Sequence, residues 1–278
     1  MRTGTLYVVA TPLGNLGDLT PRAAEILRQV PVVAAEDTRH TRGLLSHIDA
    51  HPSLVSFHAH SDARRLDRLL DMLSAGRDVA LVSDAGTPVV SDPGAELVAR
   101  AHARGLLVVP VPGVSAVATA LSVSGLAGDR YLFLGFVPRK GAERVRLLAR
   151  AAVEEWSVVF FEAPPRLGAL LADLLLLVGA GRRVTVAREL TKLHEEIRSG
   201  TMAELADYYS ETEPRGELTV VLEGRGAPAV PPDRTEDALA LAGRLLAEGV
   251  SRRATVQQIT AELGLPRNDA YRLVMGIA

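Results

Sequence analysis

The chain has 278 residues, a length that corresponds to about two globular domains of ordinary size. Its formal charge is −2, with no basic tail and no acidic run, so net charge alone indicates no partner. A hydrophobic content of 47% and a charged content of 23% exclude a disordered or fibrous protein. The absence of cysteine excludes a disulfide scaffold, a thiolate zinc site and a cysteine nucleophile.

The sequence contains no segment typical of secretion or of membrane insertion. The apolar stretch at 5–10 is too short for a signal-peptide core. The longest apolar run, at 170–178, is interrupted by Asp173 and is far shorter than the ~20 residues that span a bilayer. We therefore expect a soluble, cytoplasmic protein without a membrane partner.

Short β-branched runs alternate with amphipathic stretches through the first part of the chain. They predict strands at 5–10, 31–35, 54–57, 79–83 and 106–109. Between them we predict helices at 21–30, 64–75 and 95–104. Thr20 caps the first of these helices, and Pro21 occupies its first turn. Such alternation is typical of an α/β sheet that is covered on both faces.

The pattern begins again after the Pro-Gly pair at 112–113. Helices are predicted at 115–124, 142–153 and 166–178. Strands are predicted at 131–135, 157–162, 183–188 and 217–223. We interpret the two halves as two α/β domains, residues 1–112 and 113–224.

A linker rich in Gly and Pro follows at 224–232, and the remaining sequence is helical in character. Helices are predicted at 235–248, 256–263 and 268–277, so residues 225–278 form a linker and a small all-helical domain. The turn at 264–267 resembles a helix-turn-helix joint. However, seven arginines stand against six acidic residues in this tail, which gives DNA binding no electrostatic support. A helical cap or a partner-docking bundle is the alternative.

Five loops carry more Gly, Pro and charge than a strand–helix connection requires. The first, at 10–18, follows the first strand, where open α/β sheets bind ligands, although a plain turn would have the same composition. The second, at 35–39, places two carboxylates and a guanidinium after a buried strand. Either Asp37 or Thr38 caps a helix there with Arg39 in solvent, or the segment contacts substrate or handles protons.

The third loop, at 83–94, is the most informative. Asp92 is expected to cap a helix that has Pro93 in its first turn. Two small residues after Asp84 allow backbone amides to approach a ligand, and the Asp84 carboxylate can accept hydrogen bonds from an ammonium or a ribose. The loop has neither the GxGxxG nor the GK[ST] pattern, so its ligand need not carry a phosphate. A nucleoside that bears an ammonium or another cation would suit it.

The fourth and fifth loops add a hydroxyl and a rare lysine. At 112–116 a rigid turn enters a helix of small residues; tight packing explains its alanines but explains Ser115 less well. The fifth loop, at 188–196, contains Lys192, which with Lys140 makes two lysines against 29 arginines. A solvated surface helix is the alternative interpretation of this charge cluster.

The sequence offers little for a metal ion. His58, His60 and Asp62 could supply ligands, but they lack the helical HExxH spacing of a zinc hydrolase. There is also no Gly-x-Ser-x-Gly nucleophile elbow. We expect no metal.

Long motifs occur in a fixed order along the chain: LYVVATPLGNLGDLTPRA at 6–23, AEDTR at 35–39, SDAGTPVVSDPG at 83–94, PGVSA at 112–116, LGFVPRK at 134–140, RELTKLHEE at 188–196 and RGE at 215–217. Together they resemble the bacterial ribosomal RNA small-subunit methyltransferase I family of the tetrapyrrole-methylase superfamily. The resemblance runs through about residue 224. The helical tail is similar to the family's C-terminal extension, through less distinctive residues.

The resemblance implies an α/β fold of two tetrapyrrole-methylase-type domains with S-adenosylmethionine in the cleft between them, usually as a homodimer. It implies methyl transfer to the ribose 2′-hydroxyl of a cytidine in the decoding region of 16S ribosomal RNA, within the small ribosomal subunit. By position, the methyl donor is expected to contact Pro12, Ser83, Asp84, Ala85, Gly86, Thr87, Pro88, Ser115, Ala116, Phe161, Glu162, Leu190 and Thr191. Porphyrin-methylating relatives have an apolar residue in place of Glu162, so its contact is expected through the backbone.

A sulfonium is an activated donor, so in-line alignment provides most of the rate advantage. A 2′-hydroxyl is nevertheless a poor nucleophile, and a general base or a nearby cation would help. We assign this help to Lys192, oriented by Glu189 or Asp37; a lysine acts as a base only if burial or another cation lowers its pKa. Arg39, Arg139 and Lys140 are the predicted contacts to RNA phosphates, which would make RNA affinity depend on salt.

Two other functions remain open on the sequence. A tetrapyrrole C-methyltransferase would share the fold and the donor pocket, and only the segments at 35–39 and 188–192 argue against it. A non-catalytic regulator would use S-adenosylmethionine as an effector and the C-terminal helices to bind DNA. The balanced charge of the tail argues against that regulator.

Overall fold

The computed structural model describes residues 2–58, 63–226, 235–265 and 267–277. The chain forms two compact units, Met1–Arg225 and Gly226–Ala278. The first unit contains both predicted α/β halves, each built on its own five-stranded sheet. The division of this unit at residue 112 stays a prediction.

The first sheet is parallel, with strand order β3-β2-β4-β1-β5. Its central strands are runs of Val, Leu and Ala that are buried on both faces, as a parallel sheet between helical layers requires. The sequence predicted all five strands to within two residues at either end. They are β1 Thr5–Val9, β2 Val32–Ala35, β3 Ser53–Ser56, β4 Val79–Val82 and β5 Leu107–Val111.

Four helices cover the two faces of this sheet. α1 and α2 pack on one face, and α3 and α4 pack on the other, each through a buried stripe that contains leucine. The predicted cap of α1 is present: the Thr20 hydroxyl accepts a hydrogen bond from the Ala23 N–H, and Pro21 is the first helical residue. The helices are α1 Pro21–Gln29, α2 Thr38–His47, α3 Ala63–Ser74 and α4 Ala95–Ala103.

The predicted cap of α4 is wrong. Asp92 does not cap this helix, because Val89 and Ser91 adopt positive φ values of 76° and 64° and carry the chain away from a helical path. The helix begins only at Ala95, with Gly94 as N-cap at a φ of 132°. A side chain at Gly94 would clash with Leu81, so the glycine allows this tight entry. The Asp92 carboxylate therefore does not bond to the start of α4, and Asp92 lines the cavity described below.

The second sheet is mixed, with strand order β6-β7-β10-β8-β9. β6 runs parallel to β7, and the other neighbours are antiparallel. The edge strand β9 was not predicted, because its sequence EIRSGT is polar and does not alternate. The strands are β6 Tyr131–Phe136, β7 Ser157–Glu162, β8 Arg183–Arg188, β9 Glu196–Thr201 and β10 Leu218–Leu222.

The helices of this half cover the sheet unequally. α6, α7 and α8 share one core with the sheet, whereas α5 packs on the opposite face together with Leu13 from the first half. α8 was not predicted, although Thr201 and Glu204 form a reciprocal capping box at its start. The helices are α5 Ala116–Ser124, α6 Gly141–Val153, α7 Leu167–Val178 and α8 Met202–Glu211.

The second unit contains the three predicted helices, α9 Thr235–Ala247, α10 Arg252–Leu263 and α11 Arg267–Gly276. They enclose a small apolar core of their own. Most of the predicted linker and Pro266 of the predicted turn lie outside the described residues. Within the described residues, no helix has the length and apolar composition needed to cross a membrane.

Candidate functional site

A cavity of about 420 Å³ opens in the first unit, where the carboxyl ends of β2 and β4 meet the second sheet. This volume lies within the range of small-molecule sites, ~300–1,000 Å³. The carboxyl edge of a parallel sheet is also where such sites form. The lining residues are Leu13, Glu36, Asp84, Ala85, Gly86, Thr87, Val90, Ser91, Asp92, Ser115, Ala116, Phe136, Phe161, Glu162, Ala163, Pro164, Gly216, Glu217, Leu218 and Thr219.

The turn after β4 is held by the first loop of the chain. The backbone N–H and C=O of Thr11 pair with those of Gly86, each hydrogen bond being 2.9 Å long. The Thr11 hydroxyl donates to the Ser83 carbonyl, and the Thr87 hydroxyl donates to the Val114 carbonyl. These bonds fix the turn against both neighbouring loops, so its small residues form a rigid wall of the cavity.

Besides Glu162, four acidic residues line the cavity: Glu36, Asp84, Asp92 and Glu217. Burial, together with the charges of Glu36, Asp84 and Glu217, raises the pKa of Asp92 to about 6, although a hydrogen bond from Ser83 opposes the rise. Burial and the charge of Asp84 likewise raise the pKa of Glu36. Several carboxylates with raised pKa values in one cavity indicate a place that lacks a compensating positive charge.

This acidic wall fits the methyl donor that the resemblance implies. S-adenosylmethionine carries a sulfonium and an ammonium, and carboxylates in a partly desolvated cavity stabilise such cations. The Gly86 turn adds a close backbone approach, since its φ of 78° is one that residues with a side chain rarely adopt. The chemistry of the lining therefore suits a cationic nucleoside without a phosphate.

Aromatic rings form the wall on the side of the second sheet. Phe161 packs edge-to-face against Phe133 and Phe136, with ring centroids 4.9 and 5.4 Å apart. Phe136 remains 58% exposed although it lines the cavity. An exposed ring at the mouth of a cavity offers a flat apolar face on which a nucleobase can stack.

The carboxylate of Glu162 is fully buried behind this wall. It accepts a hydrogen bond from the Ala163 N–H at 2.8 Å and pairs with the Arg166 guanidinium at 3.1 Å. Burial raises the pKa of Glu162, while these two partners oppose the rise. Its carboxylate is thus already engaged by two partners, and the donor contact through the Glu162 backbone stays a prediction.

Lys192 lies in a network of ion pairs beside the cavity. Its ammonium is 2.9 Å from the Glu189 carboxylate and 3.1 Å from that of Glu217. Glu189 also accepts a hydrogen bond from the Glu217 N–H, and the Lys192 stem lies so close to Gly14 that a side chain there would collide with it. The network thus joins the first loop to the loops at 188–192 and 215–217.

The structure bears on two choices that the catalytic hypothesis left open. Burial alone would lower the pKa of Lys192, but hydrogen bonds and charges from Glu189 and Glu217 outweigh burial and raise it. A raised lysine pKa favours the role of a cation over that of a base. Glu189 contacts the Lys192 ammonium, whereas the Asp37 carboxylate caps α2 and pairs with Arg39.

The residues predicted to meet RNA are exposed. The Arg39 side chain is 87% exposed and pairs loosely with Asp37 at 3.4 Å. Arg139 and Lys140 are exposed just before α6 and have no ion-pair partner among the described residues. These three remain predicted phosphate contacts.

The fold brings eight predicted donor contacts to the cavity wall, and five others are not part of the lining. Those on the wall are Asp84, Ala85, Gly86, Thr87, Ser115, Ala116, Phe161 and Glu162. Those outside the lining are Pro12, Ser83, Pro88, Leu190 and Thr191.

Sequence reasoning gave no donor contact to the other twelve lining residues, of which four have charged or aromatic side chains: Glu36, Asp92, Phe136 and Glu217. All four lie inside recognised motifs, so proximity to those motifs was the available indication. Their convergence depends on how the two sheets meet.

The possible metal ligands His60 and Asp62 lie outside the described residues. Within the part of the chain that the structure describes, no group of three or more His, Asp or Glu is arranged to hold a metal ion.

Residues 5–206 match the family described as Tetrapyrrole (Corrin/Porphyrin) Methylases. A relative from Synechocystis, named Ribosomal RNA small subunit methyltransferase I, is 46% identical over 97% of this chain and 97% of its own length. The protein of the same name from Thermotoga maritima is 45% identical over 80% of this chain and 99% of its own length. Among solved structures, uroporphyrin-III-C-methyltransferase from Thermus thermophilus shares the fold, with a TM-score of 0.58 at 23% identity over 78% of this chain and 94% of that one.

Proposed function

Because this chain belongs to the ribosomal RNA small subunit methyltransferase I family, within the tetrapyrrole methylases, we propose that it methylates the ribose 2′-hydroxyl of a cytidine in the decoding region of 16S ribosomal RNA. The protein is an S-adenosylmethionine-dependent methyltransferase. The observation that carries the proposal is the acidic, glycine-containing cavity, in a chain whose relatives named after ribosomal RNA match almost their full length.

The donor would be held by groups that the cavity already presents. Asp84 and Glu36 face its cationic end, the Gly86 turn approaches it through the backbone, and Phe161 packs against its base. When bound, S-adenosylmethionine supplies a methyl group attached to a sulfonium, which needs no further activation. The rigid turn then contributes mainly alignment, and alignment is worth several kcal/mol in transfer reactions.

The acceptor hydroxyl must lose its proton as the new oxygen–carbon bond forms. Lys192 cannot take this proton, but its positive charge lies beside Glu217 at the cavity wall and can stabilise a developing alkoxide. A carboxylate on the wall would accept the proton. We assign that role to Asp92, since a base is most effective when its pKa lies near the working pH.

Lys192 is tested by the substitutions Lys192→Ala and Lys192→Arg. We expect Lys192→Ala to lower kcat about 100-fold at saturating donor, because both acidic partners would be left unbalanced beside the reacting oxygen. Lys192→Arg keeps the charge and should retain most of the activity. An unchanged methylation rate for Lys192→Ala would remove this residue from the mechanism.

The RNA would be held outside the cavity by charge and by stacking. Arg39, Arg139 and Lys140 are exposed cations that can meet phosphates, and Phe136 can stack on a base near the target. We further propose that the protein acts in the cytoplasm as a homodimer, and that its substrate is the RNA within the small ribosomal subunit. The family's usual state, implied by the resemblance, is the basis for the dimer.

The porphyrin alternative receives less support. The porphyrin-methylating neighbour is only 23% identical and shares the fold alone, whereas the relatives named after ribosomal RNA are 45 and 46% identical. The regulator alternative requires duplex DNA binding by the helical tail, which isolated residues 225–278 would have to show.

Incubation with labelled S-adenosylmethionine tests the proposal directly. Small ribosomal subunits and free ribosomal RNA from a strain that lacks the protein would serve as acceptors, beside uroporphyrinogen as the competing acceptor. We expect label on one cytidine, in a form that resists alkaline cleavage at its 3′ phosphate. Label in the porphyrin alone would refute the proposed function.

A further inference from the structure

A second groove, of about 530 Å³, runs along the edge of the first sheet. One side is strand β3, the terminal strand of that sheet, and the other side is helix α3. Its lining residues are Val32, Ser53, Leu54, Val55, Ser56, Arg64, Arg65, Arg68, Met72 and Arg77. Four of these ten residues are arginines, and none is acidic. We call this feature the β3 groove.

Most of the positive charge in the β3 groove is not neutralised. Arg64, Arg68 and Arg77 are exposed, and within the described residues they form no ion pair and no side-chain hydrogen bond. Asp67 and Asp71 of α3 lie on the adjoining surface with these arginines, but their carboxylates pair with Arg100 of α4 and with Arg104 just after it. In a chain of net charge −2, three unpaired guanidiniums along one groove form a local cationic surface.

The backbone of β3 adds hydrogen-bond donors to this surface. The N–H groups of Ser53 and Phe57 are bonded to the carbonyls of Pro31 and Ala35 on the side of β2. Because successive residues of a strand face opposite sides, the N–H groups of Leu54 and Ser56 point to the open edge. Amide donors beside guanidiniums are the combination that binds phosphate oxygens.

The β3 groove also begins close to the candidate site. Ser56 at the carboxyl end of β3 pairs in register with Ala35, the last residue of β2. Glu36, which directly follows β2, lines the cavity. From there the four residues of β3 extend over about 13 Å toward Arg77, which precedes β4. A strand of nucleic acid that presents one nucleotide at the opening of the cavity would therefore reach this groove with its neighbouring nucleotides.

We propose that the β3 groove binds the sugar–phosphate backbone of the substrate RNA next to the nucleotide that is methylated. This inference rests on the proposed function and adds a contact surface distinct from Arg39, Arg139 and Lys140. Guanidiniums suit the task because their planar fork can hold two phosphate oxygens at once. The contact is independent of base sequence, since it involves phosphates alone.

The test compares two double substitutions with the same change of charge. Arg64→Gln with Arg68→Gln removes two groove cations that lie one turn apart on α3. The control, Arg146→Gln with Arg150→Gln, removes two exposed arginines one turn apart on α6 that likewise have no described partner. Arg and Gln have similar helix propensities, so both variants should fold. Arg77→Gln, outside any helix, provides an independent third variant.

Binding is measured by titrating a single-stranded RNA fragment of the decoding region, and separately the small ribosomal subunit, at salt concentrations between about 50 and 200 mM. A phosphate contact to a single strand contributes about 0.7 to the slope of log affinity against log salt. We expect the groove double variant to lower this slope by about 1.4 and the affinity about 25-fold at ~0.1 M salt. Arg77→Gln should lower the slope by about half as much, and the α6 control should leave it near that of the unsubstituted protein.

Three results would overturn the inference. Equal affinity of the groove variants and the unsubstituted protein would mean that no phosphate lies there. An equal loss in the α6 control would mean that only total charge matters. A loss toward the subunit without a loss toward free RNA would assign the groove to a ribosomal protein.

Failure of the proposed function would look different. In that case the unsubstituted protein would bind S-adenosylmethionine and still transfer no methyl group to RNA or to the subunit. The groove inference would then fall with it.

Discussion

One carboxylate, that of Glu189, connects the loop at 188–192 to the loop at 215–217 beside the cavity. It accepts hydrogen bonds from the Lys192 ammonium and from the Glu217 N–H, both at 2.9 Å. Burial alone would raise the pKa of Glu189. The hydrogen bonds from the Glu217 N–H and the Lys192 ammonium, with the charge of Lys192, outweigh burial and lower this pKa. Gly216 makes this arrangement possible, because a side chain there would occupy the place of the Glu189 carboxylate.

The substitution Gly216→Ala should therefore destabilise the protein by about 1–3 kcal/mol. Gly216 has a φ of 85°, a conformation that costs other residues about 1–2 kcal/mol, and the new methyl group would displace Glu189. The measurement is the midpoint of denaturant unfolding. Gly43→Ala is the control: Gly43 lies inside α2 with open space around it, so alanine should stabilise by about 0.5–1 kcal/mol. Similar changes in the two variants would contradict the argument.

Asp92 is a single residue that makes the stability of the protein depend on pH. Its pKa is about 6 in the folded protein against 3.8 when solvated, so between these values the folded state binds more protons than the unfolded state. Stability from this group is thus lost as pH rises from about 4 to 6. Asp92→Asn removes the ionisable group, so this variant should be more stable than the unsubstituted protein by about 1–2 kcal/mol at pH 8. This value allows for the partial exposure of Asp92 to solvent. Near pH ~3.5, where Asp92 is largely protonated in both states, we expect no such gain.

The same substitution should impair catalysis. If Asp92 accepts the hydroxyl proton, Asp92→Asn lowers kcat by about 100-fold or more and abolishes the acid limb of the pH–rate profile near pH 6. Calorimetry with S-adenosylhomocysteine is the control, since donor affinity should change little. A variant that is more stable and retains full activity would assign Asp92 no part in proton transfer.

At the scale of elements, the predictable parts are those whose sequence reflects their own surroundings. β2 and β4 are buried on both faces, and their unbroken apolar runs predict them. β9 is polar and exists because it pairs with β8 at the sheet edge, so its sequence alone gives no such pattern. For α8, the spacing of Thr201 and Glu204 is that of a capping box, which is typical of a helix start and could have predicted this helix.

Some parts of the candidate site could likewise be predicted from the sequence, and others could not. The turn at 83–88 could be predicted because small residues and one carboxylate after a buried strand require a special backbone. Phe136 and Glu217 could not be, since each is an ordinary residue at the end of a strand until the second sheet places it on the cavity wall. The raised pKa of Asp92 depends on burial and on the charges of Glu36, Asp84 and Glu217. Only the fold buries Asp92 and brings these three carboxylates near it.

The cap of α8 can be tested by itself. Thr201→Ala removes the hydroxyl that accepts the Glu204 N–H and leaves the Glu204 side chain with one partner fewer. We expect a loss of about 1 kcal/mol in the free energy of unfolding, the usual cost of such a cap. Thr212→Ala at the other end of α8 is the matched control, because Thr212 bonds to the helix through its backbone N–H, which alanine keeps. A loss of equal size in both variants would exclude a specific role for the capping box.

At the scale of the whole molecule, the chain combines a unit that holds the cavity with a helical unit of separate core. Every cavity-lining residue lies between Leu13 and Thr219, inside the first unit. The Thermotoga maritima relative aligns over 99% of its length with only 80% of this chain, about the share that Met1–Arg225 represents. Donor binding should therefore belong to the first unit alone.

This can be measured with a fragment that ends at Arg225. The fragment keeps both sheets and their cores, so it should fold and bind S-adenosylhomocysteine with an affinity within about twofold of the full chain, because no lining group is lost. Bound ligand should raise its unfolding free energy by about 2.7 kcal/mol at a concentration of about 100 times Kd. Asp84→Asn in the same fragment is the control and should weaken binding about tenfold or more, since a carboxylate that faces the donor's positive charge is neutralised. A well-folded fragment that has lost the ligand would mean that residues 226–278 complete the site, and the assignment of the cavity to the first unit alone would be wrong.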